Sequence, residues 1–185
     1  MRIAITGAHG VGKSTMARRL SDALGLPELA TPGRNLAERG LPVNKAATVT
    51  SQLVAWLLQY RFEREQASWV ASRSMIDIWA YTVLAAGRRD TDQVELALVD
   101  ELARATRIAI NGAYDCLLYV PPAIPLVADS VRDDDVSFQC ATDDAIRRTL
   151  EDWHVPHLRV DVRDATAVEN VTDALIAQSA AELQR

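Results

Sequence analysis

Lysine is almost absent from this chain of 185 residues. Of its 20 basic residues, Lys13 and Lys45 alone are lysines and the rest are arginines. Arginine is thus the ordinary base here, and a single arginine says little about function. Cysteine is equally scarce. Cys116 and Cys140 are too few for a disulfide framework, and Cys116 sits in an apolar run that reads as core. No CxxC pair or His/Cys cluster offers a structural zinc site. Net positive charge is lacking too: 25 acids against 20 bases leave -5. That balance argues against general nucleic-acid binding. No apolar run approaches the roughly 20 residues that span a bilayer, and the apolar stretch of a secretion signal is missing after Met1. The expectation is a soluble cytoplasmic protein with no membrane partner.

What is present suits a globular chain. Hydrophobic residues make up 49% and charged residues 24%, enough to fill a core rather than stay disordered. The length fits one domain over residues 1–185, with no linker, repeat or break in composition. Arg2–Thr6 reads as a strand running into a Gly-rich turn. Leu29–Thr31, Trp69–Ser72, Tyr114–Val120 and His157–Val160 read as four more strands. Helices are expected over Ser14–Leu24, Asn35–Arg39, Thr50–Ala67, Asp77–Ala86, from a Thr91 cap to Ile110, and over Ser137–Trp153. On the long third helix, Leu53, Trp56, Leu57 and Tyr60 form an apolar stripe at i, i+3, i+4, i+7. Thr166-Ala167-Val168-Glu169 reads as a capping box opening a last helix. Strands alternating with helices imply a five-stranded parallel sheet covered on both faces. Pro121, Pro122, Pro125 and a cluster of aspartates predict a loop up to Asp135.

Chemistry enters at the first turn. Gly7-Ala8-His9-Gly10-Val11-Gly12-Lys13-Ser14 matches G-x-x-x-x-G-K-S/T in full, after a strand and before a helix. Glycines let the backbone curl so that successive N–H groups point at phosphate oxygens. The helix N-terminus adds a favourable dipole. Lys13 supplies a point charge to the β- and γ-phosphates, and the Ser14 hydroxyl suits Mg²⁺. Gly7 to Thr15 are therefore the expected ATP-binding residues and Ser14 the metal ligand. His9 is either a phosphate contact or a tolerated loop side chain.

The motif names a binding chemistry and not a reaction. A GTPase needs N-K-x-D to read guanine, and the one Asn-Lys pair, Asn44-Lys45, continues Ala46-Ala47. A ring or motor ATPase usually carries an apolar run ending in Asp-Glu. The nearest, Leu98-Val99-Asp100-Glu101, sits inside a helical pattern that leaves its acids in solvent. Kinases remain.

Here a resemblance becomes visible. Val70-Ala71-Ser72-Arg73-Ser74-Met75-Ile76-Asp77-Ile78-Trp79-Ala80-Tyr81 resembles the Asp-Arg-Ser-x-x-Asp-x-x-Ala-Tyr segment of small P-loop kinases. That family groups with nucleoside and nucleotide kinases and includes the ribosylnicotinamide kinase domain and chains labelled only as AAA-family ATPases. Tyr114 to Pro122 resembles its fourth strand, and Asp129-Ser130-Val131-Arg132-Asp133-Asp134-Asp135 its lid. The resemblance covers the whole chain. It implies a three-layer P-loop NTPase fold with a lid over about 121–136, ATP and Mg²⁺ as cofactors, and a small-molecule phosphate acceptor as partner, a homodimer being left open. Lys13, Arg73, Asp77 and Arg132 would be its catalytic residues. Arg34, Gln59 and Arg73 would bind the acceptor, with Trp56 and Tyr60 walling its pocket. Two positions depart from the family pattern: Ser72 stands where an acid usually precedes the Arg-Ser pair, and Thr31-Pro32-Gly33-Arg34 keeps an arginine but lacks the usual glutamate. Asp77, one helical turn past Arg73, is the remaining acid, either as a Mg²⁺-water ligand or as the cap of its own helix. The reading is γ-phosphoryl transfer to a nucleoside or nucleotide. The alternatives are an ATP-binding module that transfers nothing and an ATPase acting on a protein.

Overall fold

A computed structural model describes residues 1–87, 93–123 and 135–183. Thr91, Arg132 and most of the expected lid lie outside the described residues. Four strands, β1 (Arg2–Thr6), β2 (Trp69–Ala71), β3 (Cys116–Tyr119) and β4 (Leu158–Arg159), form one parallel sheet in the order β2-β1-β3-β4. Ile3 lies between Val70 and Cys116, and Leu118 between Ile5 and Leu158.

Among the described residues the sheet has four strands where the sequence predicts five. The segment expected to form the fifth contributes a single bridge, Glu28 to Val70, held by Leu29 N–H on the Val70 carbonyl and Val70 N–H on the Pro27 carbonyl, both 2.9 Å. Pro32 then opens a helix only three residues after Leu29, so pairing stops where it starts.

Side chains alternate across the sheet and build two cores. On one face Ile3, Ile5, Val70 and Leu118 pack with Met16 and Leu20 of α1 (Lys13–Leu24) and with Val168 and Leu175 of the C-terminal helix. On the other face Ala4, Trp69, Ala71 and Leu117 pack with Ile76 and Ala80, and with Ile146 and Leu150. The helices of this second face are α2 (Pro32–Glu38), α3 (Val49–Glu65), α4 (Met75–Ala86), α5 (Gln93–Ile110) and α6 (Val136–Asp152), and α7 (Ala165–Leu183) closes the chain. The result is the three-layer α/β arrangement expected. Among the described residues no helix is long and apolar enough to cross a membrane.

Two local expectations are corrected. Helix α7 is capped by Asp164, whose carboxylate accepts from Ala167 N–H at 3.1 Å, and not by Thr166. On α3 the buried face is Ser51, Gln52, Ala55 and Gln59, while Leu57 stays 54% exposed. Trp56 and Tyr60 stack on each other at 5.0 Å, and Trp56 Nε1–H donates to Thr106 at 2.9 Å. The helix turns Gln59 inward, where its amide holds the Arg73 carbonyl just before α4.

Gln59 Nε2 donates to Glu63 at 2.7 Å and to the Arg73 carbonyl at 3.2 Å. Tyr114 accepts from Met75 N–H at 2.9 Å and donates to Glu63 at 3.1 Å. Burial pushes the Glu63 carboxyl up from the ordinary 4.5 to about 7, against the pull of its bonds to Gln59 and Tyr114. A native state that binds a proton more tightly loses stability as pH rises from the unfolded to the folded value. Stability carried by Glu63 should therefore be complete below about pH 4.5 and fall away by pH 7. Glu63→Gln should flatten that slope and stabilise the protein at pH 8 by about 2 kcal/mol, less than the full shift because water reaches part of the side chain. Urea melts of both proteins at pH 5 and pH 8 check this, and parallel pH profiles would refute it.

Candidate active site

Thr6, the last residue of β1, leads into the Gly-rich loop, and the loop ends in α1. Gly7 has φ +153°, and a Cβ there would stand 2.4 Å from the Val120 carbonyl oxygen just past β3. Only glycine lets the chain leave the sheet beside its neighbour. Gly12, in the left-handed region at φ 93°, turns the loop into the helix. The first-turn N–H groups of α1 thus stand at the carboxyl edge of the sheet, where parallel sheets bind ligands.

The loop forms one wall of a cleft of about 210 Å³. Ser14 lines it, exposed, next to Lys13 and Gly12. The other wall brings Arg34 from the first turn of α2, and Ser72 and Arg73 from the end of β2. Val43 and Asn44 close it from the loop between α2 and α3. No carboxylate lines the cleft among the described residues, and no group of three metal-ligating side chains occurs among them. Arg73 also borders a smaller hollow with Gln52, Asn44, Ile78 and Tyr81.

Lys13 is 7% exposed and folds over its own loop, donating to the Gly7 and Ala8 carbonyls at 2.5 Å each. Its ammonium lies 3.9 Å from Asp77. Asp77 itself is fully buried and lies behind Gly7, outside the cleft lining. One carboxylate oxygen accepts from Gly7 N–H at 3.2 Å. The other accepts from the Ser74 N–H and hydroxyl, both 2.8 Å, as the capping box of α4. Asp77 therefore caps its helix and clamps the phosphate loop with the same group.

The remaining expectations fall as follows. Arg73 enters the cleft with its guanidinium 5.1 Å over the Tyr81 ring. Gln59, expected to bind the acceptor, lines neither hollow, because its amide is spent on Glu63 and the Arg73 carbonyl. Two side-chain amides do line the smaller hollow: Asn44, and Gln52, which lies two turns earlier on α3 and is 6% exposed. Gln52 and Asn44 are residues that sequence reasoning passed over. Their available signals were two glutamines seven apart on one helix, and an asparagine able to hold φ 53°. His9 is buried, as described below. Lys45 pairs with Asp135, the N-cap of α6, which lowers the Asp135 carboxyl from its usual range.

Solved structures share this fold at low identity. The NadR protein in complex with NAD and AMP-PNP superposes with a TM-score of 0.72 at 15% identity, over 96% of this chain and 49% of that one. This chain therefore spans about half the length of NadR. Deoxyadenosine kinase from M. mycoides with bound dATP gives 0.70 at 15% identity, over 95% and 99% of the two chains. The YorR protein of Bacillus subtilis gives 0.55 at 13%, over 100% and 99%. The model of a family described as an AAA domain matches residues 2–167, and with a complete phosphate loop standing at the sheet edge inside that span, the chain belongs to the AAA domain family.

Proposed function

We propose that this protein is a P-loop phosphotransferase that moves the γ-phosphoryl group of ATP, with Mg²⁺, onto a nucleoside or nucleotide. The observation that carries this reading is that the phosphate loop and Arg73 share one cleft, and that Arg73 continues into a second hollow holding a buried amide. One end suits a triphosphate, the other a small polar acceptor. Nucleoside kinases share the fold.

The cleft fits Mg²⁺ in a limited way. Among the described residues its lining hydroxyls are Ser14, Thr31 and Ser72, and Ser14 follows Lys13 directly in the chain. Mg²⁺ keeps several waters and takes one or two protein groups plus phosphate oxygens, so Ser14 would hold it together with the nucleotide. When bound, the ion would neutralise charge on the β- and γ-phosphates. The protein's share is then positioning and charge. Loop N–H groups and Lys13 orient the triphosphate, and Arg73 presents a fork of donors toward the transferred group. A loose phosphoryl-transfer transition state asks little of a base, which suits a cleft that no carboxylate of the described residues lines. The second reading is an ATP-binding module or ATPase with no small-molecule acceptor, favoured by Ser72 standing where the family pattern has an acid.

The deciding experiment is incubation with γ-labelled ATP, Mg²⁺ and a panel of nucleosides and nucleotides. A labelled acceptor supports the kinase. Label released only as inorganic phosphate supports an ATPase, and tight ATP binding with no release supports the module. In a kinase, Arg73→Lys should lower turnover roughly 10²-fold with ATP affinity little changed, since the charge stays and the fork is lost. Steady-state kinetics check this; an unchanged kcat would remove Arg73 from the chemistry.

A further inference from the structure

His9 is the unusual member of the phosphate loop. Its side chain is 4% exposed although the loop borders a cleft. The imidazole stacks on Phe138, ring centres 5.4 Å apart and planes 29° apart. Its Nδ1 lies 3.4 Å from the Tyr81 hydroxyl. Tyr81 meets Phe138 edge to face at 5.7 Å and carries the Arg73 guanidinium over its ring at 5.1 Å. The His9 backbone is held as well: Gln139, itself 4% exposed, donates from Nε2 to the His9 carbonyl at 2.8 Å. Phe138 and Gln139 lie in the first turn of α6, and Tyr81 lies in α4. Three elements therefore meet on one loop residue.

The geometry has a direct consequence for phosphate binding. A peptide is planar and trans, so its C=O and the following N–H point in opposite directions. Gln139 fixes the His9 carbonyl on the α6 side, and this aims the Gly10 N–H the other way, toward the cleft that Gly10 lines. Stacked rings lock the same residue through its side chain, and such contacts are sensitive to small shifts because both arrangement and distance matter. A shift of the α6 first turn would rotate a phosphate donor, and pull on the loop would reach Arg73 through Tyr81.

We propose that His9 is a positioning residue that couples the phosphate loop to the first turn of α6 through Phe138 and to Arg73 through Tyr81. Triphosphate on the loop then orders both, and the acceptor-side arginine is set when the donor is bound. Coupling of this kind usually amounts to about 5- to 150-fold between sites. The inference rests on the nucleotide-binding part of the function proposed above.

The test uses Mg²⁺ with AMP-PNP, calorimetry for affinity and hydrogen exchange for coupling. In the parent, saturating AMP-PNP should slow exchange at least about fivefold in the first turns of α6 and around Arg73–Ser74. His9→Ala should still bind AMP-PNP, within about tenfold of the parent, yet lose protection around Arg73–Ser74 and keep in α6 only the part that the Gln139 bond to the backbone carries. His9→Phe keeps a ring against Phe138 and loses Nδ1, so it should protect α6 and not Arg73. Phe138→Leu keeps apolar bulk and the His9 Nδ1 contact with Tyr81 but loses the stack, so it should weaken protection in α6 more than around Arg73. Should His9→Ala fail to bind at all, the split between His9→Phe and Phe138→Leu decides. Protection at both segments in all variants, or a parent that binds AMP-PNP without protecting α6, overturns the coupling alone. A parent that does not bind AMP-PNP overturns the nucleotide-binding reading, and the coupling with it.

Discussion

Lys13→Ala should lower ATP affinity at least about a hundredfold while the melting temperature stays within about 5 °C of the parent. A hundredfold is about 2.7 kcal/mol, the range expected for losing charge-assisted bonds to two phosphates. The structure sharpens the expectation that the fold survives. Lys13 is buried over its loop, so the change uncovers the Gly7 and Ala8 carbonyls. Asp77 loses a cation 3.9 Å away but keeps three donors, Gly7 N–H, Ser74 N–H and the Ser74 hydroxyl. Its charge is not stranded. Lys13→Met keeps the apolar stem without the ammonium and should lose ATP affinity equally, which separates charge from packing. Calorimetry with ATP and Mg²⁺ measures both variants, and an affinity equal to the parent's would refute the assignment.

The phosphate loop was legible in sequence because its function is local: consecutive backbone N–H groups on a turn and a helix start, with the residues that allow that backbone. The sheet was legible for a similar reason, since Ile3-Ala4-Ile5 and Leu117-Leu118 are apolar on both faces and only a doubly covered strand buries both. What escaped is what depends on another segment. Nothing near Gly7 reveals that the Val120 carbonyl stands where its Cβ would be. The phase of α3 was misread because apolar spacing assumes that apolar side chains go inward. Here Gln59 goes inward to reach the Arg73 carbonyl, and Leu57 is left outside. With that phase Gln52, and not Gln59, lines the smaller hollow. Sequence did offer both roles for Asp77, site acid and helix cap. It could not show that the loop behind which Asp77 is buried makes the cap itself part of the site.

Asp77→Asn is expected to lower ATP affinity about tenfold or more and turnover with it, together with a loss of stability of about 1–3 kcal/mol. The Mg²⁺-water role, the other one the sequence allows, leads to a different expectation: a loss of turnover of roughly 10²-fold or more with ATP affinity little changed. Burial decides between the two. Asp77 is fully buried and receives donors on both oxygens, from Gly7 on one and Ser74 on the other. Asparagine offers one acceptor and one NH₂. Whichever way the amide turns, its NH₂ meets an N–H, of Gly7 or of Ser74, donor against donor. If it meets Gly7, the clamp on the phosphate loop opens; if it meets Ser74, the first turn of α4 loses its capping box. Either way the negative charge 3.9 Å from the Lys13 ammonium is lost. Because the loop carries the nucleotide, its disorder shows first in affinity. Ser74→Ala isolates the capping share: it removes one hydroxyl, leaves the Gly7 clamp, and should cost about 1 kcal/mol of stability with ATP affinity near the parent's. Calorimetry, urea melts and turnover on the two variants settle the matter. If Asp77→Asn keeps parental ATP affinity and stability while turnover collapses, Asp77 reaches the metal in the working enzyme and the clamp is not its role. If all three readings stay parental, the buried carboxylate matters neither to the loop nor to the chemistry.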